Sequence, residues 1–116
     1  MKLAVISDDG DVLRLHASER ITESDVAAHP DPMRELLGEE GFARHVVLSL
    51  EGVDSIDSSG IGWLVACHKS FRQADGKLVV HSIDSGVMDL LKILKFHQVL
   101  HLAKDERAAL SAARRK

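Results

Sequence analysis

The residues of this chain with the widest chemical options are Asp57-Ser58-Ser59-Gly60-Ile61-Gly62. They follow the β-rich apolar run His45-Val46-Val47-Leu48-Ser49-Leu50 and precede a helical pattern. A strand-to-helix junction exposes free backbone N–H groups at the positive end of a helix dipole. A serine there can attack a substrate, bind an anion, cap the helix or accept a phosphoryl group, and each choice implies a different protein.

Catalysis fits poorly. The nucleophile-elbow pattern wants glycine two residues before and two after the serine. Ile56 occupies the first of those places for Ser58, and Asp57 occupies it for Ser59. Nucleotide binding fares no better. Gly60-Ile61-Gly62 is followed by Val65 where a dinucleotide fingerprint needs a small residue, and no Gly-Lys-Ser/Thr marks a P-loop. Weak anion binding needs only the backbone donors of the helix start, so that reading survives. Among seven histidines, His97 and His101 are four apart but fall in or beside an expected strand, where that spacing does not converge on a metal. The single cysteine, Cys67, excludes a cysteine-rich metal site. His68 lies on an apolar helix face and reads as a core-edge residue. No catalytic residue, cofactor or metal is therefore assigned.

Covalent switching needs less machinery. A phosphoryl group on Ser58 adds about −1.5 to −2 charges at pH 7. It would arrive beside Asp57 and near Asp54 and Glu51. The helix start partly offsets that charge, so the domain need not unfold. An acidic partner surface would nevertheless be repelled, and the space left open by Gly60 and Gly62 would be filled. The plainer alternative makes Ser58 or Ser59 a helix cap and gives the glycines to packing of helix on sheet. The residues alone leave both readings open.

The elements that must position this junction follow from the pattern. Lys2 to Ser7 and Asp11 to His16 alternate around the turn Asp8-Asp9-Gly10, which predicts a hairpin over residues 1–16. Residues 17–30 form a polar connection with a turn of helix at Glu23 to Ala28. Asp31-Pro32 opens a helix, with Asp as cap and Pro at its first position, and Gly38 or Gly41 ends it. His45 to Leu50 reads as a strand buried on both faces. Ile61, Leu64, Val65, His68 and Phe71 share one face of the longest helix, which Asp75-Gly76 closes. Lys77 to Ser82 is a further strand, and Asp84-Ser85-Gly86 opens a helix turning Val87, Leu90, Leu91 and Leu94 inward. Gln98 to Leu102 reads as an edge strand and Asp105 to Arg115 as a terminal helix. This alternation predicts an α/β fold with a mixed four- to five-stranded sheet, an N-terminal antiparallel hairpin and about four helices.

Composition narrows the partners. The 116 residues suit a single domain, 1–116, with 45 % hydrophobic and 28 % charged content. A net charge of −3 gives no reason to expect nucleic acid, which normally demands a basic face. No apolar run is long enough for membrane insertion, no secretory pattern opens the chain, and a lone cysteine suits a reducing compartment. A cytoplasmic location is expected. The exposed first strand offers edge-to-edge pairing, and so a weak homodimer.

Val47-Leu48-Ser49-Leu50-Glu51-Gly52-Val53-Asp54-Ser55-Ile56-Asp57-Ser58-Ser59-Gly60-Ile61-Gly62 resembles the signature of the STAS domain, and most of all that of the bacterial anti-sigma-factor antagonists. The resemblance extends over residues 44–109. It departs at Ala17 to Thr22, where the family usually has a Gly-x-Leu-Asp type of turn, and in the longer polar stretch to Pro30. The resemblance implies a non-enzymatic binding module in which Ser58 is phosphorylated by a serine kinase that doubles as the anti-sigma factor. The unphosphorylated form would bind that kinase and release the sigma factor for transcription, and a serine phosphatase would reset it. By the same carry-over, Asp57 orients the loop or the acceptor hydroxyl, Gly60 and Gly62 allow close partner approach, and Ser59 is a cap and fallback acceptor. Trp63, Ile61 and Asp54 are the partner-binding candidates around it. Trp63 falls opposite the apolar face, where an exposed indole would anchor a partner; otherwise it packs on the next helix at Met88 or Leu91. Two other classes remain: a constitutive scaffold or transport-complex subunit, and a sensor of a small anion at the Ser58 helix start.

Overall fold

The architecture is that of a computed structural model, which describes residues 1–28 and 31–115. β1 (Lys2–Asp8) and β2 (Val12–Ser18) form the hairpin, joined by the turn in which Asp8 accepts the Gly10 N–H. α1 (Glu23–Ala28) and α2 (Pro32–Leu37) follow, with a 3-10 turn over Glu39–Ala43. Then come β3 (His45–Gly52), α3 (Ser58–Gln73), β4 (Lys77–His81) and α4 (Ser85–Ile93). A 3-10 turn at Phe96–Gln98, β5 (His101–Ala103) and α5 (Glu106–Arg114) complete the described residues.

The strands lie in the order β1-β2-β3-β4-β5, antiparallel only between β1 and β2. Alternation along the strands divides the interior in two. Leu13 and Leu15, Val46, Leu48 and Leu50, and Leu78 with Val80 face the larger core, which Met33, Ile61, Leu64, Phe71, Val87 and Leu91 fill from the helices. Val12, Val47 and Val79 face the other way and meet Ala109 and Ala113 of α5. Both faces of β3 are thus covered, which is why its sequence is nearly continuous apolar residue. Small alanines let α5 approach the sheet closely.

Several boundaries differ from the sequence expectation. Five α-helices stand among the described residues rather than about four. The edge strand begins at His101, because Phe96 to Gln98 turns as a 3-10 segment after Lys95 adopts φ 62°. Leu94, expected to face inward, is 45 % exposed beyond the end of α4. The polar connection carries the expected helix at Glu23–Ala28; its last two residues, His29 and Pro30, lie outside the described residues. β1 forms the outer edge, with Val5 and Ile6 exposed and a bulge between Val5 and Ser7.

Cys67 lies inside the larger core, and burial pushes its thiol up to about 12. The thiolate is the reactive form. Native protein is therefore expected to resist a maleimide or aromatic disulfide at pH 8 and to react with one equivalent once denatured. Rapid labelling of the native chain would contradict this burial.

Candidate functional site

The site is built where β3 hands over to α3. After Gly52 the chain turns, with the Val53 N–H bonded to the Leu50 carbonyl, and Ile56 forms a parallel bridge with Ile21. Asp57 then takes an extended conformation and becomes the N-cap of α3. One carboxylate oxygen accepts the Gly60 N–H at 3.0 Å. The other accepts the N–H of Glu23, the first residue of α1, at 2.9 Å. A single side chain therefore tethers the starts of two helices. Those two backbone donors, Gly60 first, hold the Asp57 carboxyl below the usual carboxylate range.

This geometry revises the cap. Ser59 was expected to cap the helix, but Ser58 and Ser59 are its first two residues and Asp57 is the cap. Both Asp57 oxygens are engaged by backbone. Ser58 is thereby released from capping and stands exposed, with Ser59 half-exposed. Asp54, Ser55 and Gly62 are exposed around it.

Asp57→Ala removes the cap of α3 and the tether to α1 together. Its melting temperature is expected to fall, with amide-exchange protection lost first near Glu23 and Gly60. Because the folded carboxyl titrates below its unfolded value near 3.9, its stabilisation is complete above that pH and is lost as pH falls through the folded value. The stability gap between the parent and Asp57→Ala should accordingly close on acidification. A gap constant from pH 6 to 2 would contradict the two hydrogen bonds.

The two glycines do different work. A Cβ on Gly60 would stand 2.2 Å from the Ile21 carbonyl oxygen and 2.6 Å from Ile56 Cγ1. Gly60 is buried and serves the domain's own packing, not partner approach. A Cβ on Gly62 would meet nothing within 4 Å, so the open space beside Ser58 belongs to Gly62.

Ile61 and Trp63 are also placed inside: Ile61 is 1 % exposed and Trp63 5 %. The exposed-anchor reading of Trp63 therefore gives way to a core one, within the cluster that also contains Leu91. α1 packs against α3, and the buried arc of α3 spans roughly 160°, from Trp63 round to Ile61. Trp63 Nε1 is buried without a hydrogen-bond partner among the described residues. Of the three partner-binding candidates, only Asp54 is at the surface. What sequence reasoning missed is the Glu23 end of α1 as part of this site; the tie from Asp57 spans 34 positions, with no local signal. Among the described residues, no group of three or more His, Cys, Asp or Glu gathers as a metal site.

Comparison with known proteins adds the family. Residues 5–109 match the family model of the STAS domain. A proposed anti-sigma factor antagonist of Thermotoga maritima superposes with a TM-score of 0.83 at 19 % identity, covering 98 % of this chain and 94 % of that one. The anti-sigma factor antagonist SpoIIAA, in its unphosphorylated form, gives a TM-score of 0.67 at 12 % identity over 97 % and 98 % of the two chains. The murine anion transporter Slc26a9 gives 0.78 at 15 % identity over 92 % of this chain but 18 % of its own. At these identities the three likenesses are of fold.

Proposed function

The chain belongs to the STAS domain family, and we propose that within it this protein is a non-enzymatic anti-sigma-factor antagonist switched by phosphorylation of Ser58. The observation that carries the reading is the exposed Ser58 hydroxyl on a helix start that Asp57 already caps. A serine with no structural duty can be modified without unfolding the domain. A phosphate there adds charge beside Asp57 and Asp54 and over the open surface at Gly62. In this reading the unphosphorylated form binds an anti-sigma factor that is also a serine kinase and frees the sigma factor. Phosphorylation ends that binding, a serine phosphatase restores it, and Ser59 is the fallback acceptor. SpoIIAA, described by its phosphorylation state, lends support. Among the described residues no helix is long and apolar enough to cross a membrane.

The fold likeness to Slc26a9 favours a second reading, a constitutive STAS subunit of a transport complex in which Ser58 docks a partner unmodified. A small-anion sensor at the Ser58 helix start is less favoured, because the Asp57 carboxylate already takes the Gly60 N–H and would repel the ligand.

Intact-mass and peptide mass spectrometry on protein from its native host, under several growth and stress conditions, separates these readings. A phosphoryl adduct at Ser58 supports the switch. A chain unmodified throughout favours the constitutive subunit and overturns the switch.

A further inference from the structure

The end of α3 remote from Ser58 carries basic side chains that the switch does not use. Arg72, in the last turn, lies fourteen positions after Ser58, about 21 Å along the helix at 1.5 Å per residue. A cavity of about 380 Å³ opens there, between α3, the start of β4 and β5. Four of the residues lining it are basic, His68, Arg72, Lys77 and His101, and none is acidic.

His68 is 6 % exposed, yet no hydrogen bond engages its ring nitrogens among the described residues. Its ring meets that of His101 edge-on, with centroids 5.4 Å apart. The side chains of Arg72 and His101 likewise have no hydrogen bond or ion pair among the described residues. Lys77 gives one proton to the Ala112 carbonyl at 2.8 Å and keeps two donors. A cation near the end of a helix is ordinary and accounts for Arg72 alone. It does not account for a buried histidine with unengaged nitrogens, facing a second histidine and two further cations across an open cavity.

We propose that this cavity binds a dianionic oxyanion of the sulfate or phosphate type, free or carried on a small molecule. Arg72 offers a planar fork of donors matched to two oxygens of such an anion. Lys77 supplies charge, and His68 and His101 each supply an N–H. Burial first, and then Arg72 and Lys69, hold the His68 imidazole below its ordinary range; burial, then Lys77, His68 and Arg72, do the same for His101. A bound dianion reverses that balance and favours protonation of both rings. Affinity therefore rises as pH falls.

Sodium sulfate is the suitable probe, since its charge is constant across the range, and NMR titration of the whole chain at constant ionic strength reads the binding. Saturable shifts are expected at His68, Arg72 and His101, with affinity falling at least threefold from pH 5.5 to pH 8. Arg72→Gln should weaken sulfate at least fivefold. Lys69→Gln, which removes the same charge from an exposed position outside the cavity lining, should weaken it less than twofold. Shifts that stay linear and match those with sodium chloride, equal losses in the two variants, or a flat pH profile would overturn the site. Repeating the titration with glycerol 3-phosphate distinguishes the sources: an affinity no better than that of sulfate assigns a free anion, and one tenfold tighter assigns a phosphomonoester.

Discussion

Gly60→Ala is expected to destabilise the domain by about 2 kcal/mol net, while Gly62→Ala in the same helix stabilises it slightly. Both substitutions gain the helix propensity of alanine over glycine, up to about 1 kcal/mol. Only the first meets an obstacle. Its Cβ would lie 2.2 Å from a backbone oxygen and 2.9 Å from Ile21 Cγ2, and Ile21 cannot swing aside as a surface side chain would. Its N–H is bonded to the Ser55 carbonyl, its carbonyl receives the Asp57 N–H, and it is bridged to Ile56. Relief requires the strand-to-α1 connection to move away from α3, and with it the Glu23 N–H that Asp57 holds. Overpacking of this kind costs about 3 kcal/mol at the upper end of its usual range, so the propensity gain offsets only part of it. Urea melts of the two variants beside the parent read the difference directly. Equal stabilities for Gly60→Ala and Gly62→Ala would mean that Ile21 and Ile56 do not close over Gly60.

The contrast between these glycines marks where sequence reasoning stops. Turns and caps were readable because their chemistry is local: Asp8-Asp9-Gly10 closes the hairpin, and Asp31 accepts the Arg34 N–H with Pro32 at the first helical position. The division of β3 between two cores could be anticipated from its unbroken apolar run. The choice of cap among Asp57, Ser58 and Ser59 could not. All three residue types cap helices, and the register is decided by the Ile21–Ile56 bridge, a contact between distant segments. Trp63 was misplaced for a related reason. A helical wheel centred on Ile61 and Val65 assumes that one surface covers the helix, whereas α3 is covered by the sheet and by α1. That second cover comes from the most polar stretch of the chain, where Ile21 is buried in the core and Val26 packs against it. The motif itself stood out because its residues are contiguous, but the partnership of Asp57 with Glu23 depends on folding.

If the proposed switch holds, Ser58→Asp is expected to weaken binding of an anti-sigma kinase by at least 1–3 kcal/mol, roughly five- to 150-fold, while Ser58→Ala retains it. The asymmetry follows from how the helix start is used. A charge placed at the first turn would normally be favoured by the dipole and by free N–H groups. Here the Gly60 N–H is already committed to Asp57 Oδ1, and the second Asp57 oxygen is committed to Glu23. A carboxylate or phosphate on residue 58 therefore meets a helix start whose Gly60 donor is already taken, and it remains displayed at the surface, near the exposed Asp54. Folding hardly registers it, because Ser58 is exposed and makes no core contact. A partner seated over Gly62 and Ser58 would have to desolvate the new charge without a counter-charge from this chain, which is where the loss arises. Matching melting temperatures for the parent, Ser58→Ala and Ser58→Asp, combined with a loss of affinity in the aspartate variant alone by calorimetry, is the expected pattern. Equal affinity of the aspartate variant and the parent for the kinase would remove repulsion as the mechanism. A lower melting temperature in Ser58→Asp would instead place the effect in the fold.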